Sequence, residues 1–199
     1  EFVLSRSVCP ALFLGSLFVV PSLWRTRGCN YFDALELSTT MTNHHQYMQR
    51  AIELAYDTAI VNQHGGPFGC IIVRDEKIVA EGVNRVLVDK DPTSHGEIAA
   101  IRAACKVLDT HNLSGCTLYT SSEPCPMCYA ASWWARIDAI YYAGTIQDAK
   151  DYGDFDDVPI YEAVKLPGAD RALPALEFDR DKMLKVWREF RDMPDRLHY

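Results

Sequence analysis

Cys125 and Cys128, within "SSEPCPMC" (121–128), are spaced as half of a metal site. A structural zinc site closes with a second Cys-x-x-C or a histidine pair, and the chain contains no second Cys-x-x-C. The two thiols fall at i and i+3 of a predicted helix opened by proline, so both sulfurs lie on one face. A helix N-terminus carries partial positive charge, which favours the thiolate a cation needs. Two buried core cysteines are the plain alternative, but Pro-Cys-Pro-Met-Cys at a helix start is a poor way to build a core.

A second stretch, "SHGE" (94–97), offers the candidate third ligand, His95, thirty residues before Cys125. One imidazole and two thiolates leave one tetrahedral corner free. Closed sites are structural, whereas an open corner holds a water that the cation acidifies. Glu97 is then the candidate proton shuttle beside that corner. Ser94-x-x-Glu97 also fits a helix capping box, which would need no chemistry at all.

Four or five elements must bring these residues together. "HHQYMQRAIELAYDTAIV" (44–61) repeats its apolar residues at three- and four-residue steps and predicts an amphipathic helix. "GGPFG" (65–69) breaks it. "CIIV" and "KIVAEG" predict a β-hairpin turning at Arg74–Glu76. A second helix follows Pro92 and Ser94, with Ile98, Ile101, Ala104, Cys105 and Leu108 as its apolar stripe. "CTLYT" and "AIYYA" read as strands flanking the cysteine helix. Residues 147–165 read as loop and short helix, "ALPALEF" (172–178) as a last strand, and "DRDKMLKVWREFRDM" as a closing helix. Helices alternating with short strands predict an α/β layer fold around one mixed sheet.

The first forty residues read differently. No acid occurs between Phe2 and Phe32, and the apolar run Ala11–Leu23 is interrupted by Gly15, Ser16, Pro21 and Ser22. At about 13 residues it is short of the roughly 20 that a bilayer needs. It could be a targeting segment or sequence translated ahead of Met41. Residues 1–40 are therefore set apart as a non-domain extension, with the domain expected over 42–199.

Charge and cysteine use narrow the partners. The net charge is −7, with 48% hydrophobic and 24% charged residues. That balance disfavours a nucleic-acid polymer, which is bound through a basic face, but not a small uncharged base. Seven cysteines without a pairing framework predict a reducing, cytoplasmic location. Cys70, Cys105 and Cys116 fall on apolar faces and are expected in the core. No membrane association is expected.

The combination His95-x-Glu97 with Pro124-Cys125-x-x-Cys128 is the signature of zinc nucleobase deaminases. From Asn43 to Tyr199 the chain resembles the cytidine-deaminase-like zinc hydrolases. Within them it is most similar to small bacterial-type guanine deaminases. That closer likeness is carried by "GGPFG", "EGVN" (81–84), "DPTSHGE" (91–97), "IRAACKVL" (101–108), "LYTSSEPCPMC" (118–128), "WAR" (134–136), "FDD" (155–157), "IY" (160–161) and Tyr199.

The resemblance implies a three-layer α/β/α fold with a mixed five-stranded sheet, and Zn2+ held by His95, Cys125 and Cys128. It implies hydrolytic deamination of guanine to xanthine and ammonia, in purine catabolism or salvage, by a zinc-activated water with Glu97 as proton shuttle. Asp156 matches a second catalytic and purine-binding acid, and Asn84 a base-binding amide. Phe68 and Trp134 could wall the pocket, and Tyr199 matches a C-terminal tyrosine that closes it. A homodimer exchanging its C-terminal segments is also implied. One position departs: Gly96 stands where guanine deaminases usually carry alanine, and His-Gly-Glu also occurs in fungal-type cytosine deaminases. A deaminase of cytosine, guanosine or a triazine amine, a tRNA adenosine deaminase, and a non-catalytic zinc module all remain as alternatives.

Overall fold

A computed structural model of the chain describes the backbone of residues 31–198 and the side chains of residues 43–198. Helix α1 (Tyr31–Tyr56) closes with a π turn at Asp57–Val61. Strands β1 (Gly69–Arg74) and β2 (Lys77–Val83) follow, then the short α2 (Val86–Asp89) and α3 (Gly96–Val107). Next come β3 (Cys116–Ser122), α4 (Pro126–Trp134), β4 (Ala139–Gly144), α5 (Ile146–Gly153), α6 (Val158–Lys165) and α7 (Arg180–Asp192).

The strand order is β2-β1-β3-β4. β1 runs antiparallel to β2 and to β3, while β3 and β4 run parallel. This arrangement follows from the connections. β1 and β2 are joined by a two-residue turn in which Asp75 and Glu76 both take positive φ (50° and 59°), the turn whose twist matches an antiparallel hairpin. β3 and β4 are joined through α4, the crossover a parallel pair requires.

β1 is the buried centre of the sheet, and its apolar run is explained by cover on both faces. Ile71 and Val73 point toward α1, where they join Ala51 and Tyr119. Cys70 and Ile72 point the other way, into the cluster formed with Ala100, Ala104, Leu113, Cys116 and Leu118. The layers are therefore α1, sheet, and α3 with α4. Each fully buried Ile or Leu contributes about 1.5–3 kcal/mol over an exposed one. Gly82 on β2 lets α3 approach closely, since a Cβ there would overlap the Gly96 carbonyl and the Ala100 nitrogen.

The three-layer mixed α/β architecture is as expected, with four strands rather than five among the described residues. "ALPALEF" forms no strand. Pro174 has no N–H for a ladder, and Leu173, Leu176 and Phe178 stand exposed with no sheet edge beside them. α1 begins at Tyr31, inside the stretch set apart by composition at 1–40. Cys70 and Cys116 are buried in the core as expected, and Cys105 packs partly buried against it.

Candidate active site

Two helix starts meet on one side of the sheet. His95 is the N-cap of α3 and Cys125 the N-cap of α4; both are extended, and neither side chain caps its helix. Freed from capping, the imidazole and the thiol turn toward each other. His95 Nδ1 lies 3.6 Å from Cys125 Sγ and 3.5 Å from Cys128 Sγ. Pro126 opens α4, where a missing N–H costs nothing. Both helix N-termini place partial positive charge at the sulfurs.

The triangle fits zinc. Tetrahedral Zn2+, with Zn–S of about 2.3 Å and Zn–N of about 2.0–2.1 Å, separates sulfur from nitrogen by about 3.6 Å. The three donors lie within 4.8 Å of one another, and no fourth His, Cys, Asp or Glu joins the set among the described residues.

The two thiols and the imidazole perturb one another strongly. The Cys125 thiol is lowered to about 4, first by the hydrogen bond from Cys128 and then, against burial, by His95. That same bond, burial and the Glu97 charge push Cys128 well up. His95 is raised by its bond to Cys125.

Glu97 enters from the first turn of α3 and is 4% exposed. Its Oε1 accepts from Thr120 Oγ1 at 3.2 Å, and its Oε2 from the Cys128 thiol at 3.4 Å. Burial raises its pKa. The capping box does not form: α3 begins one residue later, with His95 at its N-cap, and the Ser94 N–H donates to the Asp91 carbonyl. Glu97 is therefore spent on the site and not on the helix end.

A cavity of about 280 Å³ opens beside these groups. His95, Glu97 and Cys125 form its floor. Phe68 and Phe155 meet edge to face at 5.0 Å along its wall, and Asn84 and Asp157 add polar groups. Such a slot suits a flat heterocycle with polar edges.

The sequence profile of the cytidine and deoxycytidylate deaminase zinc-binding region matches residues 41–144. The chain belongs to this zinc-dependent deaminase family. Among its relatives, the guanine deaminase of Bacillus subtilis (strain 168) is 42% identical over 157 residues, covering 79% of this chain and 99% of that protein. The X-ray structure of a Bacillus subtilis guanine deaminase superposes with a TM-score of 0.69 at 42% identity, covering 77% of this chain and 99% of that one. Guanine deaminase from Nitrosomonas europaea gives a TM-score of 0.52 at 32% identity, over 57% of this chain and 64% of that one. The tRNA-specific adenosine deaminase of Agrobacterium fabrum (strain C58) is 44% identical over 84 residues, 42% of this chain and 54% of that protein.

Within this deaminase the expected residues divide. His95, Glu97, Cys125 and Cys128 converge, and Phe68 and Asn84 line the cavity. Asn84 is buried, its Oδ1 accepting from the Val86 N–H at 3.4 Å. Asp156 is turned away: its carboxylate pairs with Lys150 at 2.9 Å and accepts from the Val158 N–H. Its neighbour Asp157 faces the cavity, its pKa raised by burial and then by Cys125. Trp134 ends α4 and lines a separate groove with Met183 and Trp187 of α7. Tyr199 lies outside the described residues.

Three further cavity-lining residues, Phe155, Asp157 and Glu123, and the Glu97 partner Thr120 were not singled out by sequence reasoning. "FDD" held the first two, but choosing between adjacent aspartates requires knowing which way the chain turns into α6. Thr120 carried only strand alternation. No helix among the described residues is long and apolar enough to cross a membrane.

Proposed function

We propose that this deaminase hydrolyses guanine to xanthine and ammonia. The observation that carries the substrate is the 42% identity with a guanine deaminase across 99% of that protein's length. The match to the tRNA-specific adenosine deaminase of Agrobacterium fabrum covers 54% of that protein, and a net charge of −7 suits a small neutral base better than a polyanion.

His95, Cys125 and Cys128 would hold zinc. When bound there, zinc supplies Lewis acidity that brings the pKa of a water toward neutrality. Glu97 takes a proton from the attacking water and delivers it to the ring nitrogen beside the amino-bearing carbon. It then carries the second proton to the departing amine, so water's oxygen becomes the new carbonyl and ammonia leaves. Burial suits Glu97 to both halves of this work, because a carboxyl with a raised pKa gives a proton back as readily as it takes one. Thr120 holds the carboxylate in place from the sheet. Phe68 and Phe155 flank the ring, Asn84 offers an amide to its edge, and Asp157 accepts from a ring or amino N–H. Asp157 takes the part that the resemblance gives to Asp156.

We place the domain over 42–199, with residues 1–40 as an extension, and a cytoplasmic location is supported by the free cysteines among the described residues. A homodimer exchanging C-terminal segments is supported by the family likeness and by the exposed apolar residues Val186 and Trp187 on α7. Tyr199 and Trp134 would then act across that exchange. Ammonia release from guanine, guanosine, cytosine, adenine and a triazine amine tests the substrate, with metal content measured on the same sample. Xanthine formed from guanine supports the proposal; turnover of cytosine alone overturns it.

A further inference from the structure

Tyr161 lies half-buried within α6 and donates its hydroxyl to the carbonyl oxygen of Pro124 at 2.6 Å. Pro124 directly precedes Cys125. Neither Pro124 nor Pro126 has a backbone N–H, so the flanks of Cys125 cannot be tied down by donors of their own. Tyr161 is the only donor to the Pro124 carbonyl among the described residues. The far side of the segment is held through Glu123, whose N–H donates to the Gly144 carbonyl at 2.7 Å and whose Oε2 accepts from the Ile146 N–H at 3.1 Å. One turn earlier, at the N-cap of α6, stands Asp157, whose carbonyl accepts from the Tyr161 N–H at 3.2 Å. A single helical turn therefore joins the cavity wall to the cysteine loop.

We propose that Tyr161 is a positioning residue for the zinc site: its hydroxyl sets where the Cys125 sulfur stands and, through α6, ties that placement to Asp157. The aromatic ring alone would supply packing without direction. The hydroxyl adds a directional bond to the one carbonyl adjoining the ligand. Tyr161 does not touch the donor triangle, so it acts through Pro124 and Cys125. The proposal rests on the reading of His95, Cys125 and Cys128 as zinc ligands.

The test compares full-length wild type, Y161F and Y142F for zinc affinity, by competition with a chromophoric chelator. Tyr142 borders the same surface hollow as Tyr161, and its hydroxyl makes no hydrogen bond among the described residues. Y161F is expected to bind zinc about 10-fold more weakly, the lower end of the effect of removing a direct partner of a metal ligand, because Tyr161 acts one residue away from Cys125, with Y142F matching wild type. Replacing Tyr161 with para-aminophenylalanine, which keeps the ring and restores a donor, is expected to recover most of the loss. Wild-type affinity in Y161F overturns the proposal, as does an equal loss in Y142F or no recovery with the amino analogue. Wild-type protein that takes up no zinc would instead sink the ligand reading, which separates the two failures.

Discussion

Thr120 and Glu97 meet across the sheet–helix boundary, the buried threonine hydroxyl donating to Glu97 Oε1 at 3.2 Å. The contact joins β3, an interior strand of the sheet, to the group assigned the proton transfers. A carboxylate this deep has few ways to be satisfied, and here a sheet residue supplies one of them. Removing the donor disfavours the charged carboxylate and raises its pKa further. Thr120→Val is therefore expected to move the acidic limb of the kcat/KM profile to higher pH. An unmoved limb would show that the hydroxyl does not bear on the reacting carboxyl.

Glu97→Gln keeps the shape of the side chain and removes the shuttle. Loss of one general acid–base group costs about 10²–10⁴-fold, and Glu97 serves several transfers, so a fall of at least about 10⁴-fold in kcat is expected. Zinc content should be unchanged. Ammonia release and metal analysis on one preparation check both halves. Full activity in the variant would move the shuttle to another residue.

Zinc uptake must displace protons from Cys128 and His95, both raised in the metal-free site. A raised pKa means that the proton persists to higher pH. Apparent affinity is therefore expected to fall as pH drops, beginning above the pH at which free imidazole protonates. Chelator competition at several pH values reads this out. A flat profile would mean that the cation is not held by these groups. Cys125→Ala, which removes a ligand outright, should abolish stoichiometric zinc and activity together.

Gly82 and Gly96 face each other where α3 crosses β2, and they should respond differently to alanine. At Gly82 a Cβ collides with helix backbone, so Gly82→Ala is expected to destabilise by about 1–3 kcal/mol, as overpacking does. At Gly96 the nearest atom to a Cβ is the Phe68 carbonyl oxygen at 3.0 Å, a contact that a small shift relieves. Gly96→Ala should stay within about 1 kcal/mol of wild type, since better helix propensity offsets the crowding. Urea unfolding separates the two, and the reverse order would show that α3 is not seated this closely.

Arg50 on α1 grips Glu81 on β2 through two 2.8 Å bonds. The pair depresses Glu81, chiefly through the hydrogen bonds from Arg50. A carboxylate whose folded pKa lies below its unfolded value stabilises the fold above the unfolded value, and that contribution disappears as pH falls through the folded one. Both side chains are more than a third exposed, so screening limits the effect to under about 1 kcal/mol. Glu81→Gln should lower stability by that much at pH 7 and by nothing near pH 2, measured by denaturation at both.

Much of this protein was legible in its residues alone. Cys125, Cys128, His95 and Glu97 carry their chemistry in type and spacing, and Pro126 marks a helix start without any tertiary help. The hairpin, both site helices and the two strands around α4 rest on periodicities that neighbours along the chain enforce. Folding decided the rest. Whether Glu97 caps its helix or faces the cavity depended on where α3 begins, which puts His95 and not Ser94 at the N-cap. Which of Asp156 and Asp157 reaches the site shows only in the fold, where Asp156 pairs with Lys150 of α5 and Asp157 lines the cavity. "ALPALEF" has the apolar content of a strand, yet a strand exists only where another offers its edge. Trp134 looks like a pocket wall in sequence and stands at the far end of α4 in space. Local patterns encode what a residue can do; which partner it meets is settled by long-range contacts, because a side chain's direction depends on elements that are remote in the chain.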